Sequence, residues 1–143
     1  MAAQSGGYLG AAIMSFAEPR LRTRERDVDD RTTIVAVDGE IHVSSAPELS
    51  GVLAAAIESG RVQLVLDLTG VMFIDSTGLS VLLNALRRVT RAGGAMAVVC
   101  TNPTVLRLFE ITHLDTTFDL RADVEAALAA VQAAAGGSSS GTP

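Results

Sequence analysis

The segment from Val71 to Leu79, Val-Met-Phe-Ile-Asp-Ser-Thr-Gly-Leu, constrains the fold most, because an apolar extended stretch changes into an amphipathic helix within it. Upstream, residues 62–68 form a short run of leucine and β-branched residues typical of a buried strand. Downstream, four leucines recur at the spacing of one helix face: Leu79, Leu82, Leu83 and Leu86. The polar turn between them can cap the helix, with either Asp75 or Ser76 as the N-cap. A hydroxyl at a helix N-terminus is also well placed to carry a phosphate, because that end favours negative charge.

The rest of the chain continues the alternation of strand and helix. Further strands are predicted at residues 32–37, 95–100 and 118–120, and further helices from Ser45 to about Gly60, at residues 103–111 and at residues 124–131. This alternation predicts an α/β fold, with a small mixed, mostly parallel sheet flanked by helices. The first two strands could form an antiparallel hairpin, and the order of the strands does not follow from the sequence.

Three regions are expected along the chain: a mobile N-terminal extension over residues 1–19, one domain over residues 20–135, and a disordered Gly/Ser tail over residues 136–143. The extension holds an apolar patch from Tyr8 to Ala17, which is too short to cross a membrane. It has no basic region before the patch, so a signal peptide is not expected. Met14 is a hypothetical alternative start.

Two local patterns near the N-terminus carry structural predictions. Arginine alternates with other residues at positions 20, 22, 24 and 26, which places the arginines on one face of a strand. Such a stripe either protects an edge strand by charge or binds an acidic partner. Ser45 followed by Glu48 predicts a capping box at the first helix, in which the Ser45 side chain caps the helix.

Composition excludes several classes of function. The net charge is -5, all eleven basic residues are arginine, and aromatic residues make up only 3%, which argues against a nucleic-acid binder. The single cysteine, Cys100, cannot form an internal disulfide, lies in a predicted core strand, and fits a reducing cytoplasm. No group of Cys and His has the spacing of metal ligands, so neither a metal nor another cofactor is expected.

Several motifs in order resemble the STAS domain, and in particular the bacterial anti-sigma factor antagonists. The resemblance runs from Thr32 to Leu128. It rests on Leu66-Asp67-Leu68, Phe73-Ile74-Asp75-Ser76-Thr77-Gly78-Leu79, Gly39-Glu40-Ile41, Gly93-Gly94-Ala95-Met96 and Leu106-Arg107-Leu108-Phe109. It implies a single STAS-like domain and a phosphorylated serine at the position of Ser76. The family often has an aspartate where this chain has His42.

The resemblance also implies partners. An anti-sigma factor, itself a serine kinase, would bind the unphosphorylated chain and release its sigma factor, and a phosphatase would reset the switch. The expected contact residues are Asp75, Ser76, Thr77, Gly78, Glu40 and His42. We expect a cytoplasmic monomer or weak dimer with no direct contact to nucleic acid or membrane. An alternative is an interaction module that is never phosphorylated, such as a scaffold subunit or a transporter accessory protein, in which the motif only caps a helix.

A hydrolase is the less favoured interpretation of Ser76. The nucleophile elbow Gly-x-Ser-x-Gly also places a serine between a strand and a helix, but position 74 is isoleucine where the strained turn needs glycine. Only His42 and His113 are available as a base, and neither has a recognisable setting. For His42 two hypotheses stay open: it holds the phosphate on Ser76 through its positive form, or it is a solvent-exposed loop histidine without a partner.

Overall fold

The computed structural model describes residues 21–140, with side chains as far as residue 134, so the predicted extension over residues 1–19 lies outside the described residues. Strands and helices alternate as the sequence predicts. The strands are β1 (Leu21–Asp27), β2 (Thr32–Ile41), β3 (Gln63–Ile74), β4 (Ala95–Val99) and β5 (Asp119–Arg121). The helices are α1 (Ala46–Glu58), α2 (Ser76–Arg91), α3 (Pro103–Ile111) and α4 (Val124–Ser140).

The five strands form one mixed sheet in the order β1-β2-β3-β4-β5. Strand β1 pairs with β2 in an antiparallel hairpin, and the other three pairings are parallel, which confirms the predicted α/β class. Arg22, Arg24 and Arg26 are exposed on β1, which is an edge strand, and Arg24 forms an ion pair with Asp38 at 3.3 Å. Arg20 lies outside the described residues.

The sheet is covered on both faces. Helices α1, α2 and α3 pack on one face, where their buried residues join Val35, Val37, Leu64 and Leu66 in the larger core cluster. Helix α4 covers the other face through Ala127 and Val131. Cys100 is buried in the larger cluster, as predicted, and burial raises the pKa of its thiol because the thiolate is poorly solvated there.

Strand β3 is longer than the predicted run over residues 62–68, because two irregularities let it continue beside β2. Ala36 pairs with Asp67 while Asp38 pairs with Gly70, and Gly39 pairs with Val71 while Glu40 pairs with Phe73. Each step adds one residue to β3, and the second extra residue is Met72. A bulge of this kind bends the strand and changes which face its side chains occupy. It leaves both Met72 and Phe73 on the surface.

The predicted capping box at α1 is wrong. Ser45 occupies the N-cap position, but its side chain makes no capping hydrogen bond to the helix. Its hydroxyl instead donates to the carbonyl of Glu40 at 2.8 Å and accepts from the backbone N–H of His42 at 3.0 Å. Ser45 therefore fastens the loop after β2.

Two further details concern residues outside the core. Arg88 lies 3.6 Å from Glu58 and links α2 to α1. The bounds of α4 take in residues 136–140, which the composition assigns to a tail. Disorder of residues 136–143 in solution stays a prediction.

Candidate functional site

The candidate site lies at the carboxyl ends of β2 and β3, on what we call the rim: residues 40–45, which end β2 and form the loop after it, together with residues 72–78. Parallel pairing places Ile41 beside Ile74, so the residues that follow each strand are neighbours. The backbone N–H of Asp75 donates to the carbonyl of Ile41 at 3.0 Å, which joins the start of α2 to the end of β2. The fold thus brings together the segments that contain all six predicted contact residues.

Asp75 is the N-cap of α2, which resolves the alternative that the sequence leaves open. Its backbone is extended, and its carboxylate accepts from the N–H of Gly78 at 2.9 Å. The second carboxylate oxygen accepts from the N–H of Val43 at 3.3 Å. One side chain therefore caps the helix and also holds the loop after β2.

Ser76 is the first residue of α2, and both Ser76 and Thr77 are exposed. Among residues 21–134, no group forms a hydrogen bond with the Ser76 hydroxyl, whereas its carbonyl accepts from Ser80 at 3.0 Å. Because Asp75 provides the cap, the helix does not require the Ser76 side chain. The hydroxyl is accessible at the end of a helix where backbone N–H groups and the helix dipole favour an anion.

Gly78 is buried rather than exposed on the rim. A Cβ atom at this position would lie 2.7 Å from side-chain carbons of Ile41 and Ile74 and 2.9 Å from the carbonyl oxygen of Ile41. These distances are too short for a side chain, so glycine lets the first turn of α2 approach the end of β2. This close approach fixes the position of the first turn of α2, which contains Ser76.

Glu40 and His42 both lie on the rim. The Nδ1 atom of His42 accepts from the backbone N–H of Ser44 at 3.3 Å, so the neutral ring carries its proton on Nε2. Nε2 lies 3.4 Å from Glu40 Oε1, and the His42 side chain is only 20% exposed. The hypothesis of a solvent-exposed histidine without a partner is therefore wrong, while the hypothesis of contact with a phosphate stays a prediction.

The structure adds three apolar residues to the rim that sequence reasoning did not assign to it. Val43 is 69% exposed, Met72 is 68% exposed and Phe73 is 45% exposed. We call these three residues the rim patch. Met72 and Phe73 sit inside an apolar run that resembles core sequence, and only the bulge in β3 brings them to the surface. Exposed apolar residues grouped around a polar centre are typical of a surface that binds protein.

The site does not have the arrangement of a hydrolase. The two ring nitrogens of His42 contact Ser44 and Glu40 rather than Ser76. His113 is exposed and lies between α3 and β5, at the opposite end of the sheet from the rim. Within residues 21–140, no cluster of His, Cys, Asp and Glu could hold a metal ion. In the same part of the chain, no helix has the length and apolar character needed to cross a membrane.

Comparison with known proteins identifies the family of this chain. The STAS domain family matches residues 23–127, and the chain belongs to this family. An anti-sigma-B factor antagonist from Bacillus subtilis is 36% identical over 91 residues, which cover 64% of this chain and 83% of that protein.

Solved structures agree. The crystal structure of an anti-sigma factor antagonist from Mycobacterium paratuberculosis has a TM-score of 0.69 and 31% identity, and the match covers 78% of this chain and 94% of that chain. The anti-sigma factor antagonist SpoIIAA in its unphosphorylated form has a TM-score of 0.67 and 19% identity, over 78% of this chain and 96% of that chain. At that identity SpoIIAA shows the shared fold.

Proposed function

We propose that this chain is an anti-sigma factor antagonist, and that phosphorylation of Ser76 switches off its binding to an anti-sigma factor. The observation that carries the proposal is an accessible hydroxyl, free of hydrogen bonds to residues 21–134, at the first position of α2 and beside the rim patch. The related antagonists from Bacillus subtilis and Mycobacterium paratuberculosis support the assignment of the partner class.

In the unphosphorylated state, the rim docks on the anti-sigma factor and frees its sigma factor. Burial of the rim patch provides the apolar contribution, at about 25 cal/mol per Å² of apolar surface removed from water. Asp75, Thr77 and Glu40 surround the patch and give polar contacts that fix the orientation of the partner. Gly78 contributes by holding the first turn of α2 close to Ile41.

Phosphorylation adds about -1.5 to -2 charges at neutral pH. Helix α2 tolerates these charges, because its N-terminal N–H groups and dipole favour an anion. The docked interface does not tolerate them, because the phosphate would have to lose water beside the apolar side chains of Met72 and Phe73. It would also lie on the same rim as the carboxylates of Asp75 and Glu40. The switch therefore acts on binding and leaves the fold intact.

Ser76 is a substrate position in this proposal, and the chain performs no catalytic step. The anti-sigma factor acts as the serine kinase, a phosphatase removes the phosphate, and both reactions take place in the cytoplasm. The alternative of a STAS module that is not phosphorylated predicts binding without any modification. The two proposals share the same fold and differ in whether Ser76 is phosphorylated.

The direct experiment incubates the protein with candidate anti-sigma kinases and labelled ATP. Wild type is compared with Ser76→Ala, and Thr77→Ala is the matched control, since Thr77 is the neighbouring exposed hydroxyl. We expect label on wild type and on Thr77→Ala, and none on Ser76→Ala. Full labelling of Ser76→Ala together with loss of label in Thr77→Ala would show that Thr77, and not Ser76, is the phosphorylated residue. Tight binding to an anti-sigma factor with no labelling by any kinase would support the unphosphorylated module.

A further inference from the structure

Helix α2 has a second stripe of side chains beside the stripe that it buries in the core. Its five residues follow one another at positions i, i+3, i+4, i+7 and i+8, so they share one face over about two helical turns. They are Leu83, Leu86, Arg87, Thr90 and Arg91. The two leucines pack only partly against the core, and the other three residues are exposed. This face therefore presents apolar and basic groups that the core does not cover.

The loop after α3 lies opposite this stripe, and the two together form a groove that we call the α2 groove. Leu114 and Thr117 form its second wall, and its volume is about 570 Å³. The loop is fixed, because Phe109 and Phe118 at its two ends pack edge to face with ring centroids 5.4 Å apart. The backbone N–H of Leu114 also donates to the carbonyl of Phe109 at 2.8 Å. The groove is therefore formed before a partner binds.

The α2 groove is positively charged in a chain whose net charge is -5. Arg87 and Arg91 are the charged residues that line it, and within residues 21–134 neither forms an ion pair. Helix α2 contains no aspartate or glutamate. The helix dipole favours a basic residue in the last turn, which accounts for Arg91 but not for Arg87, one turn earlier. The two guanidinium groups are thus available to carboxylates of a partner.

A groove lined by leucines and two arginines fits an amphipathic helix whose apolar residues are flanked by carboxylates. Leucines bury apolar side chains, and guanidinium groups bind carboxylates through paired N–H donors. The groove is open to solvent, whereas sites for small molecules bury about 70–90% of the ligand surface. A helix lying in an open groove keeps its polar face in water and buries only its apolar face. These features favour a protein partner over a small amphiphile.

We propose that the α2 groove binds an acidic amphipathic helix of another protein, with its apolar residues against the three leucines of the groove and its carboxylates on Arg87 and Arg91. The site is separate from the rim. Along the axis of α2, Leu83 and Arg91 lie about 10 Å and about 23 Å from Ser76, at about 1.5 Å per residue. The chain can therefore hold this partner whatever occupies the rim, and the inference does not rest on the proposed function.

The test uses the full chain with 13C-labelled leucine methyl groups and a designed helical peptide as the probe. The peptide has about 18 residues, which exceeds the roughly 12–15 that an isolated helix needs. Leucines follow one face at i, i+3 and i+7, and glutamates flank them. In one matched peptide glutamine replaces each glutamate, and in the other serine replaces each leucine. The methyl groups of Leu83, Leu86 and Leu114 report on the groove, and Leu21 in β1 is the internal control.

We expect the acidic peptide to shift the three groove signals with a Kd below about 1 mM and to leave Leu21 unchanged. Arg87→Glu combined with Arg91→Glu should weaken binding about tenfold or more, because attraction becomes repulsion. The matched control is Arg22→Glu combined with Arg26→Glu, which reverses two exposed charges on β1, at the other edge of the sheet from β5. This control should bind the peptide like wild type.

The neutral variant, Arg87→Gln combined with Arg91→Gln, places no acidic residue near the end of α2 and guards against loss of the fold. Its affinity should lie between those of wild type and the charge-reversed variant, with an unchanged circular dichroism spectrum. Both matched peptides should bind about tenfold more weakly than the acidic amphipathic peptide. No shift of the groove signals at about 2 mM acidic peptide, equal binding of the glutamine peptide, or wild-type affinity in the neutral and charge-reversed variants would overturn the proposal.

Two other occupants of the groove are distinguished in the same system. Sodium dodecanoate below its micelle concentration is the probe for a small amphiphile. Shifts of the groove signals with dodecanoate but not with the acidic peptide would assign the groove to a single-chain anionic amphiphile. Shifts on raising the concentration of the chain alone, which the peptide does not reverse, would assign it to a second copy. Either result would overturn the proposal.

Ser76→Glu separates this inference from the proposed function. It should leave the affinity for the acidic peptide unchanged, because Ser76 lies on the rim and not in the α2 groove. Loss of peptide binding in Ser76→Glu would place the peptide on the rim and overturn the inference. Peptide binding in the groove together with a failure to bind any anti-sigma factor would leave the inference standing and overturn the proposed function.

Discussion

Ser45 and Ser76 stand at the starts of neighbouring helices on the same rim, yet their hydroxyls have opposite environments. Ser45 is 2% exposed, and its hydroxyl forms hydrogen bonds to Glu40 and His42. Ser76 is exposed, and Asp75 caps its helix. A serine at a helix start is therefore not a modification site by its position alone. It becomes a candidate when another residue provides the cap and its own hydroxyl faces solvent.

The comparison extends to the glycines of the two helices. Gly51 is exposed in α1, and a Cβ atom there would meet nothing within 4 Å. Gly78 in α2 is buried against Ile41 and Ile74. The start of α2 therefore lies closely against the end of the sheet, whereas α1 has space for a side chain at Gly51. The same substitution should have opposite effects in the two helices.

The largest expected effect is on stability at Gly78. Gly78→Ala should lower the free energy of unfolding by about 1–3 kcal/mol, because the added methyl group overpacks the contact with Ile41. Gly51→Ala should raise the free energy of unfolding by about 0.5–1 kcal/mol, since alanine is favoured over glycine in a helix interior. Urea denaturation of both variants and wild type measures the difference. Equal effects of the two substitutions would contradict the close approach at Gly78.

The second prediction concerns the two serines. Ser45→Ala should lower the free energy of unfolding by about 1–3 kcal/mol, because it removes a buried hydroxyl that both donates and accepts a hydrogen bond. Ser76→Ala should change it by less than about 0.5 kcal/mol, as is usual for exposed positions. Thermal unfolding followed by circular dichroism compares the two. A Ser76→Ala variant as unstable as Ser45→Ala would mean that Ser76 has a structural role.

A smaller loss of stability than at Gly78 or Ser45 is expected at the cap of α2. Asp75→Ala should lower the free energy of unfolding by about 1 kcal/mol, because α2 loses its N-cap. Asp75→Asn should cost less, since the amide oxygen can still accept from Gly78. Denaturation measurements on the two variants test this order. A larger loss in Asp75→Asn than in Asp75→Ala would show that capping is not the main contribution of Asp75.

The sequence predicts the elements of the fold well and the surface of the site only in part. The start of α2 and the bounds of α3 follow from leucine spacing, a polar cap and a proline, because these signals are local. The exposure of Met72 and Phe73 does not follow, because a bulge depends on the register between β2 and β3, which local composition does not specify.

The role of Ser45 shows the same limit. A serine followed three residues later by a glutamate is the pattern of a capping box. The local sequence does not show whether such a serine caps the helix or forms hydrogen bonds to the preceding loop. The difference lies in the carbonyl of Glu40 and the N–H of His42, which reach Ser45 only after the chain has turned back from β2. The prediction of Asp75 and Ser76 as a functional pair rests on family resemblance as well as on the strand-to-helix junction.

The most direct test of the central claim compares the affinity of Ser76→Glu and Thr116→Glu for the anti-sigma factor. Both add one negative charge at an exposed position, but Thr116 precedes β5 and lies at the end of the sheet opposite the rim. We expect Ser76→Glu to weaken binding at least tenfold, about 1.4 kcal/mol, with an unchanged circular dichroism spectrum. Thr116→Glu should bind like wild type. Equal affinity of Ser76→Glu and wild type would contradict the switch.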